Sequence, residues 1–150
     1  MLIRKACLKD VDYIYSLIKH YAAQELMLPR NIGSIYQNLR DFSVIEDQGH
    51  ILGVGALHIL WHDLAEIRSL AIDPDNLQNG LGFQLVNHLL EEAAEIGFKK
   101  VFTLTYQPGF FEKCGFKKVR KEELPQKVWL ECVYCIKFPN CDEIALIKEL

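Results

Sequence analysis

The sequence predicts one α/β domain, a mixed and twisted sheet of about six to seven strands flanked by helices. Three observations support this fold class. The 150 residues, 50% hydrophobic and 25% charged, suit a single globular domain over residues 1–150. Short strand-like runs alternate with stretches of helical periodicity. Finally, a strand, loop, helix and strand at 65–105 should form a right-handed crossover that joins two parallel strands.

The first half of the chain predicts the element order β-α-α-β-β. Asp10 is a plausible helix cap, because the apolar residues that follow it recur at helical spacing. Asp47-Gln48-Gly49 is typical of a hairpin turn. The expected elements are a strand from Leu2 to Lys5, a helix after Asp10, a helix from about Ile32 to Arg40, and strands from Phe42 to Glu46 and Ile51 to Ile59.

The second half predicts the order β-α-β-α-β-(α)-β. Asp73-Pro74 should end a strand, and Gly97 is a natural cap for the long helix before it. The expected strands are Leu64 to Ile72, Val101 to Thr105, Phe116 to Arg120 and Glu143 to Glu149. The expected helices are Gly82 to Ile96, Phe110 to Lys113 and Gln126 to Tyr134.

Charge and hydropathy argue against two classes of partner. The 17 basic and 20 acidic residues give a net charge of −3, which is no electrostatic footprint for nucleic acid. No apolar run approaches 18 residues, so we expect no membrane span. The first five residues lack the apolar core of a signal peptide, and we therefore expect a cytoplasmic protein.

The loop over residues 75–82 is the strongest local signal for ligand binding. A helix N-terminus offers N–H groups without intrahelical partners and a partial positive charge. Gly80 and Gly82 would let the backbone approach a ligand closely. Together these features suit a pyrophosphate, although an ordinary tight turn before a helix has the same local pattern.

Two motifs carry a family resemblance. Residues 71–85 resemble the acetyl-CoA motif of the GCN5-related N-acetyltransferase (GNAT) family, with Leu77 in place of Gln or Arg and Gln78 in place of Gly. Gln78 would be strained if its position required a positive φ. Residues 110–116, an aromatic pair followed by Gly115-Phe116, resemble the second signature of the family. The resemblance implies acetyl-CoA as co-substrate, with its pantetheine arm along the strand at 70–72.

The resemblance also implies which residues contact acetyl-CoA. Contacts in the loop would come mostly from backbone N–H groups, and backbone N–H groups near residues 70–72 would hold the arm and the developing oxyanion. The expected cofactor-binding residues are Leu70, Ala71, Ile72, Gln78, Asn79, Gly80, Leu81, Gly82, Phe83 and Phe111.

A closer resemblance runs over residues 2–150. Segments such as 66–72, 104–108, 124–129 and 141–143 look like the short, stand-alone N-acetylglutamate synthase type. This implies acetyl transfer to the α-amine of L-glutamate, the first step of arginine synthesis, by a protein whose partners are acetyl-CoA and a small amine. A homodimer is compatible with the family. Two alternatives stay open: acetylation of another amine or a protein N-terminus, and a non-catalytic acyl-CoA-binding regulatory module.

Glu66 is the candidate general base, because a carboxylate at the acceptor end of its strand could deprotonate an ammonium directly or through water. His58 and His62 are rival bases. The family's usual general acid is a Tyr, and Phe111 at that position has no proton to give. Tyr106 or a water could protonate the departing thiolate instead.

A dicarboxylic acceptor needs cations, and three residues are the candidates. Arg30, Arg68 and Lys127 are expected to bind the substrate carboxylates, since a guanidinium pairs with a carboxylate through two parallel hydrogen bonds. Arg68 lies in mid-strand, where a charge is costly unless it is paired. Each of the three could equally be a surface cation.

The five cysteines do not suggest a disulfide framework, because their number is odd and a cytosolic location is expected. Cys132, Cys135 and Cys141 have a spacing that leaves three interpretations: a structural zinc site, reduced packing cysteines, or a redox pair. A structural zinc normally takes four ligands and only three are local, so the metal content stays unassigned.

Overall fold

The computed structural model describes residues 1–125, 128 and 141–150. Over these residues the chain forms a seven-stranded mixed sheet in the order β1-β2-β3-β4-β5-β7-β6. The predicted fold class and sheet size are therefore confirmed. The strands are β1 (Leu2–Lys5), β2 (Phe42–Asp47), β3 (His50–Trp61), β4 (Leu64–Ile72), β5 (Lys100–Thr105), β6 (Lys117–Val119) and β7 (Ile144–Glu149).

The helices cover the two faces of the sheet. They are α1 (Val11–Ala23), α2 (Ile32–Gln37), α3 (Leu81–Ile96) and α4 (Pro108–Lys113). On one face, α1 buries its apolar stripe with Ile35 of α2 against β2, β3 and the end of β4. On the other face, α3 packs on β3, β4 and β5 together with Phe111 of α4. The sheet is thus buried on both sides at its centre, as parallel βαβ units require.

The predicted parallel pairing of β4 with β5 is confirmed, and the two strands soon separate. β4 pairs with β5 at Ala65↔Val101 and Glu66↔Phe102, and within the described residues this pairing goes no further. Beyond it the Thr103 hydroxyl donates to the Ile67 carbonyl over 2.8 Å. Among the described residues, no strand therefore pairs with this edge of β4 in its second half.

A bulge in β4 accompanies the separation. Ala56 pairs with Arg68 and Val54 pairs with Ala71, so Ser69 and Leu70 together oppose Gly55. Ser69 has φ 57°, a left-handed conformation that is uncommon outside glycine. A Cβ on Gly55 would lie 3.1 Å from Leu70 Cδ1. Gly55 thus leaves the space into which the Leu70 side chain folds.

Some predicted helix boundaries were wrong. The helix expected from Ile32 to Arg40 ends at Gln37 and is followed by a separate 3-10 turn, Leu39–Asp41. Asp10 does occupy the predicted N-cap position of α1, but its side chain makes no capping hydrogen bond there, because a 3-10 turn leads into α1 and Asp10 is already helical (φ −88°, ψ −13°). Its carboxylate instead accepts hydrogen bonds from Arg4 and from the Cys7 N–H.

The other strand and helix ends in the described part of the chain match the prediction or differ from it by one or two residues. The helix expected at Gln126 to Tyr134 lies outside the described residues, apart from Val128. A search of the described residues finds no helix long and apolar enough to cross a membrane.

Candidate active site

A cleft of about 1120 Å³ opens where β4 and β5 separate. Its floor is the second half of β4, and one end is the N-terminus of α3 with Gly80 and Gly82. Arg30 lies on one wall, and Tyr106 and Glu143 lie on the other. The cleft therefore combines a helix N-terminus, an unpaired strand edge and several charged side chains.

The backbone of β4 directs hydrogen-bonding groups into this cleft. The Asp73 N–H donates to the Leu52 carbonyl of β3 over 2.8 Å. Successive residues of a strand direct their N–H groups to opposite edges, so Ile72 and Leu70 direct theirs away from β3. That is the edge that β5 leaves without a partner strand in the described part of the chain. These are the backbone groups that the sequence predicts for the cofactor arm.

Two tyrosines of α1 hold the end of β4 at this position. The Tyr21 hydroxyl donates to the Ile72 carbonyl, and the Tyr13 hydroxyl donates to Asp73 Oδ2 over 3.0 Å. Burial, followed by the bond to Asp73, raises the pKa of Tyr13 to about 12. Burial also raises the pKa of Tyr21. Both phenols therefore stay protonated as donors at neutral pH.

The loop before α3 has the geometry of an anion site. Its positive φ (69°) lies at Gly80, the residue before the first turn of α3, rather than at Gln78. Glutamine in place of the family glycine is therefore not strained. Gly82 packs against α4, because a Cβ there would lie 3.1 Å from Phe110 Cζ. The first turn of α3 thus keeps its N–H groups accessible at the end of the cleft.

The remaining predicted cofactor residues differ in their position. Leu70, Ala71, Ile72 and Phe83 line the cleft, whereas Gln78 and Asn79 lie exposed on the loop. Leu81 is 3% exposed and packs into the core, so its backbone is the part within reach of a ligand. Phe111 lines the cleft but is 4% exposed, and Phe110 and Phe116 contact it edge to face.

Charged side chains of β4 occupy the face of the sheet that α1 and α2 cover. Glu66 and Arg68 alternate with Ile67, which packs on the opposite side with α3. Arg68 Nη1 lies 3.5 Å from Glu66 Oε1, and the two side chains are 14% and 12% exposed. The mid-strand charge is therefore paired, as its burial requires.

Arg30 reaches the same region from the segment between α1 and α2. Its Nε donates to Ser69 Oγ over 3.2 Å, and its Nη1 donates to Ser34 Oγ over 3.0 Å. Both serines line the cleft. Arg30, Arg68 and Glu66 therefore converge along β4, whereas Lys127 lies outside the described residues.

The rival histidine bases are placed differently. His58 is the cross-strand partner of Glu66, and its Nδ1 lies 2.6 Å from Asp41 Oδ2. His62 is exposed in the turn between β3 and β4. Among the described residues that line the cleft, neither histidine occurs, whereas Glu66 does. The geometry thus favours Glu66 over both.

The residues that follow β5 and those that precede β7 bring several polar groups to the cleft. The Tyr106 hydroxyl donates to Asp142 Oδ1 over 2.7 Å, and Glu143 is 8% exposed. Cys141 Sγ lies 3.9 Å from Glu143 Oε1. In the described part of the chain no three potential ligands are grouped for a metal. Cys132 and Cys135 lie outside it. The three interpretations of the cysteine spacing, namely a zinc site, packing cysteines and a redox pair, therefore stay open.

Sequence reasoning missed Ser34, Ser69, Tyr21 and Glu143 as cleft residues. Periodicity identifies buried faces, and these four side chains are polar groups brought together by tertiary structure. One signal was available for Tyr21, which occurs at helical spacing with the apolar residues of α1.

The chain belongs to the acetyltransferase (GNAT) family, whose model matches residues 8–116. This family consists of N-acetyltransferases, and the predicted enzyme class is therefore confirmed. The recognition of the family from the loop and aromatic motifs is confirmed as well.

Similar proteins include two bacterial acetyltransferases. An uncharacterized N-acetyltransferase of Chlorobaculum tepidum is 38% identical over 99% of this chain and 96% of its own length. An amino-acid acetyltransferase of Mycobacterium tuberculosis is 35% identical over 87% of this chain and 76% of its own length.

Two solved structures share the fold closely and contain CoA. A Mycobacterium tuberculosis protein in complex with CoA has TM-score 0.88 and 31% identity, and the match covers 100% of this chain and 99% of that one. N-acetylglutamate synthase from Neisseria gonorrhoeae, complexed with coenzyme A and N-acetyl-glutamate, has TM-score 0.88 and 26% identity. That match covers 99% of this chain and 35% of the synthase, so the chain spans about a third of its length.

Proposed function

We propose that the protein transfers an acetyl group from acetyl-CoA to the α-amine of L-glutamate. One observation carries the proposal: Glu66, Arg68 and Arg30 lie in the same cleft as the edge of β4 that β5 leaves and the N-terminus of α3. A base, two cations for carboxylates and a thioester-binding backbone are what this reaction needs. N-acetylglutamate would then serve an early step of arginine synthesis.

The cofactor half of the cleft fits acetyl-CoA through its backbone. The first turn of α3 would receive the pyrophosphate, because its N–H groups lack intrahelical partners and Gly82, which packs on Phe110, places no side chain over them. The N–H groups of Leu70 and Ile72 would hold the pantetheine arm and the thioester oxygen. Leu77 and Gln78 would change little, since neither supplies the backbone groups of that turn.

Glu66 acts as the general base in this mechanism. It accepts a proton from the ammonium of glutamate, directly or through one water, and the resulting amine attacks the thioester carbonyl. The C–N bond forms, the negative charge on the oxygen is held by the Leu70 N–H, and the C–S bond then breaks. The attacking nitrogen loses its second proton and the leaving thiolate gains one, and Tyr106 or a water is the candidate relay between them.

Arg30 and Arg68 bind the two carboxylates of the acceptor in this proposal. Hydrogen bonds from Arg30 Nη1 to Ser34 and from Arg30 Nε to Ser69 hold the guanidinium beside β4, where its positive charge would attract an acceptor carboxylate. The relatives named for amino-acid acetylation and the synthase complexed with N-acetyl-glutamate support an amino-acid acceptor. Glutamate is favoured over a monocarboxylic acid because two guanidinium groups, of Arg30 and Arg68, lie beside β4 and could each pair with one carboxylate.

A thiol-release assay tests the proposal. Purified protein is incubated with acetyl-CoA and one amine at a time, and the panel contains L-glutamate, D-glutamate, L-glutamine, L-aspartate, L-leucine and spermidine. We expect release above background with L-glutamate and at least about tenfold less with L-leucine, because losing one charged contact costs more than 1.4 kcal/mol.

Product analysis by mass spectrometry serves as the control for simple hydrolysis of acetyl-CoA. Acetylation of spermidine in preference to glutamate would overturn the acceptor assignment and keep the enzyme class. Tight CoA binding by calorimetry without turnover on any amine would favour the alternative of a non-catalytic acyl-CoA-binding module.

A further inference from the structure

The bulge of β4 brings together an unusual backbone and a side-chain contact. Ser69 has φ 57°, where an L-residue loses about 1 kcal/mol relative to glycine. A glycine would relieve this cost, yet the chain has a serine here. The Ser69 hydroxyl accepts a hydrogen bond from Arg30 Nε over 3.2 Å.

The position of Ser69 links the two halves of the cleft. The next residue, Leu70, lies in the part of β4 that has separated from β5, and the preceding residue, Arg68, contacts Glu66. Ser69 and Leu70 together oppose Gly55, whose missing side chain makes room for Leu70. Ser69 therefore lies between the backbone N–H donors of Leu70 and Ile72 and the charged pair of Glu66 and Arg68.

From this juxtaposition we propose that Ser69 is a positioning residue for the acceptor site. Its left-handed backbone aims the hydroxyl at Arg30, and the hydrogen bond fixes the guanidinium relative to the Leu70 backbone. The acceptor carboxylate and the thioester carbonyl are thereby held at a set separation, which favours attack. This inference rests on the proposed role of Arg30 in acceptor binding.

Two substitutions distinguish the effect of the Ser69 hydroxyl from the effect of its left-handed backbone. S69A removes the hydroxyl and keeps a Cβ in the left-handed conformation, whereas S69G removes the hydroxyl and relieves the conformational cost. We expect both variants to raise the KM for the acceptor by about fivefold to tenfold, the effect of losing one ordinary hydrogen bond that orients a binding group. The KM for acetyl-CoA should stay within about twofold of the wild-type value. S69G should melt at a higher temperature than S69A.

Three further variants make the test specific. S16A is the matched control, because Ser16 is exposed on α1 and should behave as wild type. R30A alone should raise the acceptor KM, and adding S69A to R30A should change it by less than about twofold, since the two act through one contact. S34A removes the other hydroxyl on Arg30 and leaves the bulge intact.

A measurement without substrate completes the test. In ¹⁵N NMR spectra, R30K assigns the Arg30 Nε–H signal by its disappearance. We expect S69A and S69G to shift this signal and to speed its exchange with water, while S34A, which changes a partner of Nη1, shifts it less. An unchanged signal in S69A would overturn the inference.

Outcomes for the inference and for the proposed function are distinguishable. If wild-type protein does not use L-glutamate, the acceptor assignment fails, and the variants are then compared with the amine of highest turnover and by NMR. If wild type uses L-glutamate and S69G has wild-type KM, the hydroxyl has no positioning role. Additive effects of S69A and R30A would equally overturn the inference.

Discussion

Different kinds of chemical group line the cleft on the two faces of the central sheet. On the α3 face the cleft is formed by backbone and apolar packing, with Gly82 against Phe110 and Leu70 folded over Gly55. On the α1 face it is formed by charged and hydroxylic side chains. A site made of backbone tolerates side-chain change, as at Leu77 and Gln78, whereas a site made of side chains determines which acceptor fits. We therefore expect substitutions on the two faces to affect different kinetic constants.

The largest expected effect comes from Glu66 on the α1 face. E66Q should lower kcat with the preferred amine by about 100-fold, because a positioned general base contributes roughly that factor. The KM for acetyl-CoA should change little. Steady-state kinetics at saturating acetyl-CoA measures both constants. E91Q, a change at an exposed position of α3, is the matched control.

A small effect of E66Q on kcat would show that Glu66 is not the general base. If kcat stays within about threefold of wild type, the base lies elsewhere, and H58Q becomes the next variant to measure. His58 is the cross-strand neighbour of Glu66 and pairs with Asp41, so it is the nearest alternative on the same face.

Asp10 tests whether charges on the α1 side also serve stability. Its hydrogen bonds from Arg4 and the Cys7 N–H lower its pKa from 3.8 to about 2. A depressed folded pKa stabilises the protein above the unfolded pKa. This contribution, about 2 kcal/mol, should be full above about pH 4 and lost as the pH falls through about 2.

The variant D10N should therefore lower the free energy of unfolding by about 2 kcal/mol at pH 7, without raising the KM for either substrate. Urea unfolding at several pH values measures it, and the difference between D10N and wild type should shrink as the pH falls toward 2. D12N, an exposed change in the first turn of α1, is the control. An equal difference at pH 7 and pH 2.5 would show that the carboxylate charge is not the cause.

The cofactor face has its own test at Gly82. A Cβ here meets Phe110 at 3.1 Å, so G82V should push the aromatic ring or the first turn of α3 out of place. We expect the KM for acetyl-CoA to rise about tenfold, or 1.4 kcal/mol, with the acceptor KM unchanged. G82A should have a smaller effect, and F110L combined with G82V should recover part of the loss.

The same division governs what the sequence could predict. The loop before α3 and the aromatic pair are local motifs, so the cofactor end of the cleft was predictable from residues 71–85 and 110–116. The Ser69 contact was not, because a left-handed serine inside a strand depends on Gly55 in the neighbouring strand and on Arg30 far away in sequence. Asp10 occupies the predicted N-cap position of α1, but the pairing of its carboxylate with Arg4 of β1 was not predictable from helical periodicity.

Arg30 and Glu66 were predicted as residues, but their contacts were not. Their residue types and the family resemblance predicted an acceptor site, and the fold brings both to one cleft. The contacts that fix Arg30 come from serines, which no hydrophobic pattern identifies. Predicting such a site therefore takes the pairing register of β3 and β4 as well as the motif.

The smallest expected effect concerns the cap of α2, which carries Ser34. Asn31 Oδ1 accepts a hydrogen bond from the Ser34 N–H over 2.7 Å at the start of this six-residue helix. N31A should cost about 1 kcal/mol of stability, and N31D should keep most of it because aspartate caps equally well. Since Ser34 also accepts from Arg30, N31A should raise the acceptor KM by about twofold, whereas N31D should not. Thermal unfolding and acceptor kinetics on the two variants measure these effects. If N31A instead raised the KM for acetyl-CoA, the two faces of the sheet would be coupled more closely than their separate contacts indicate.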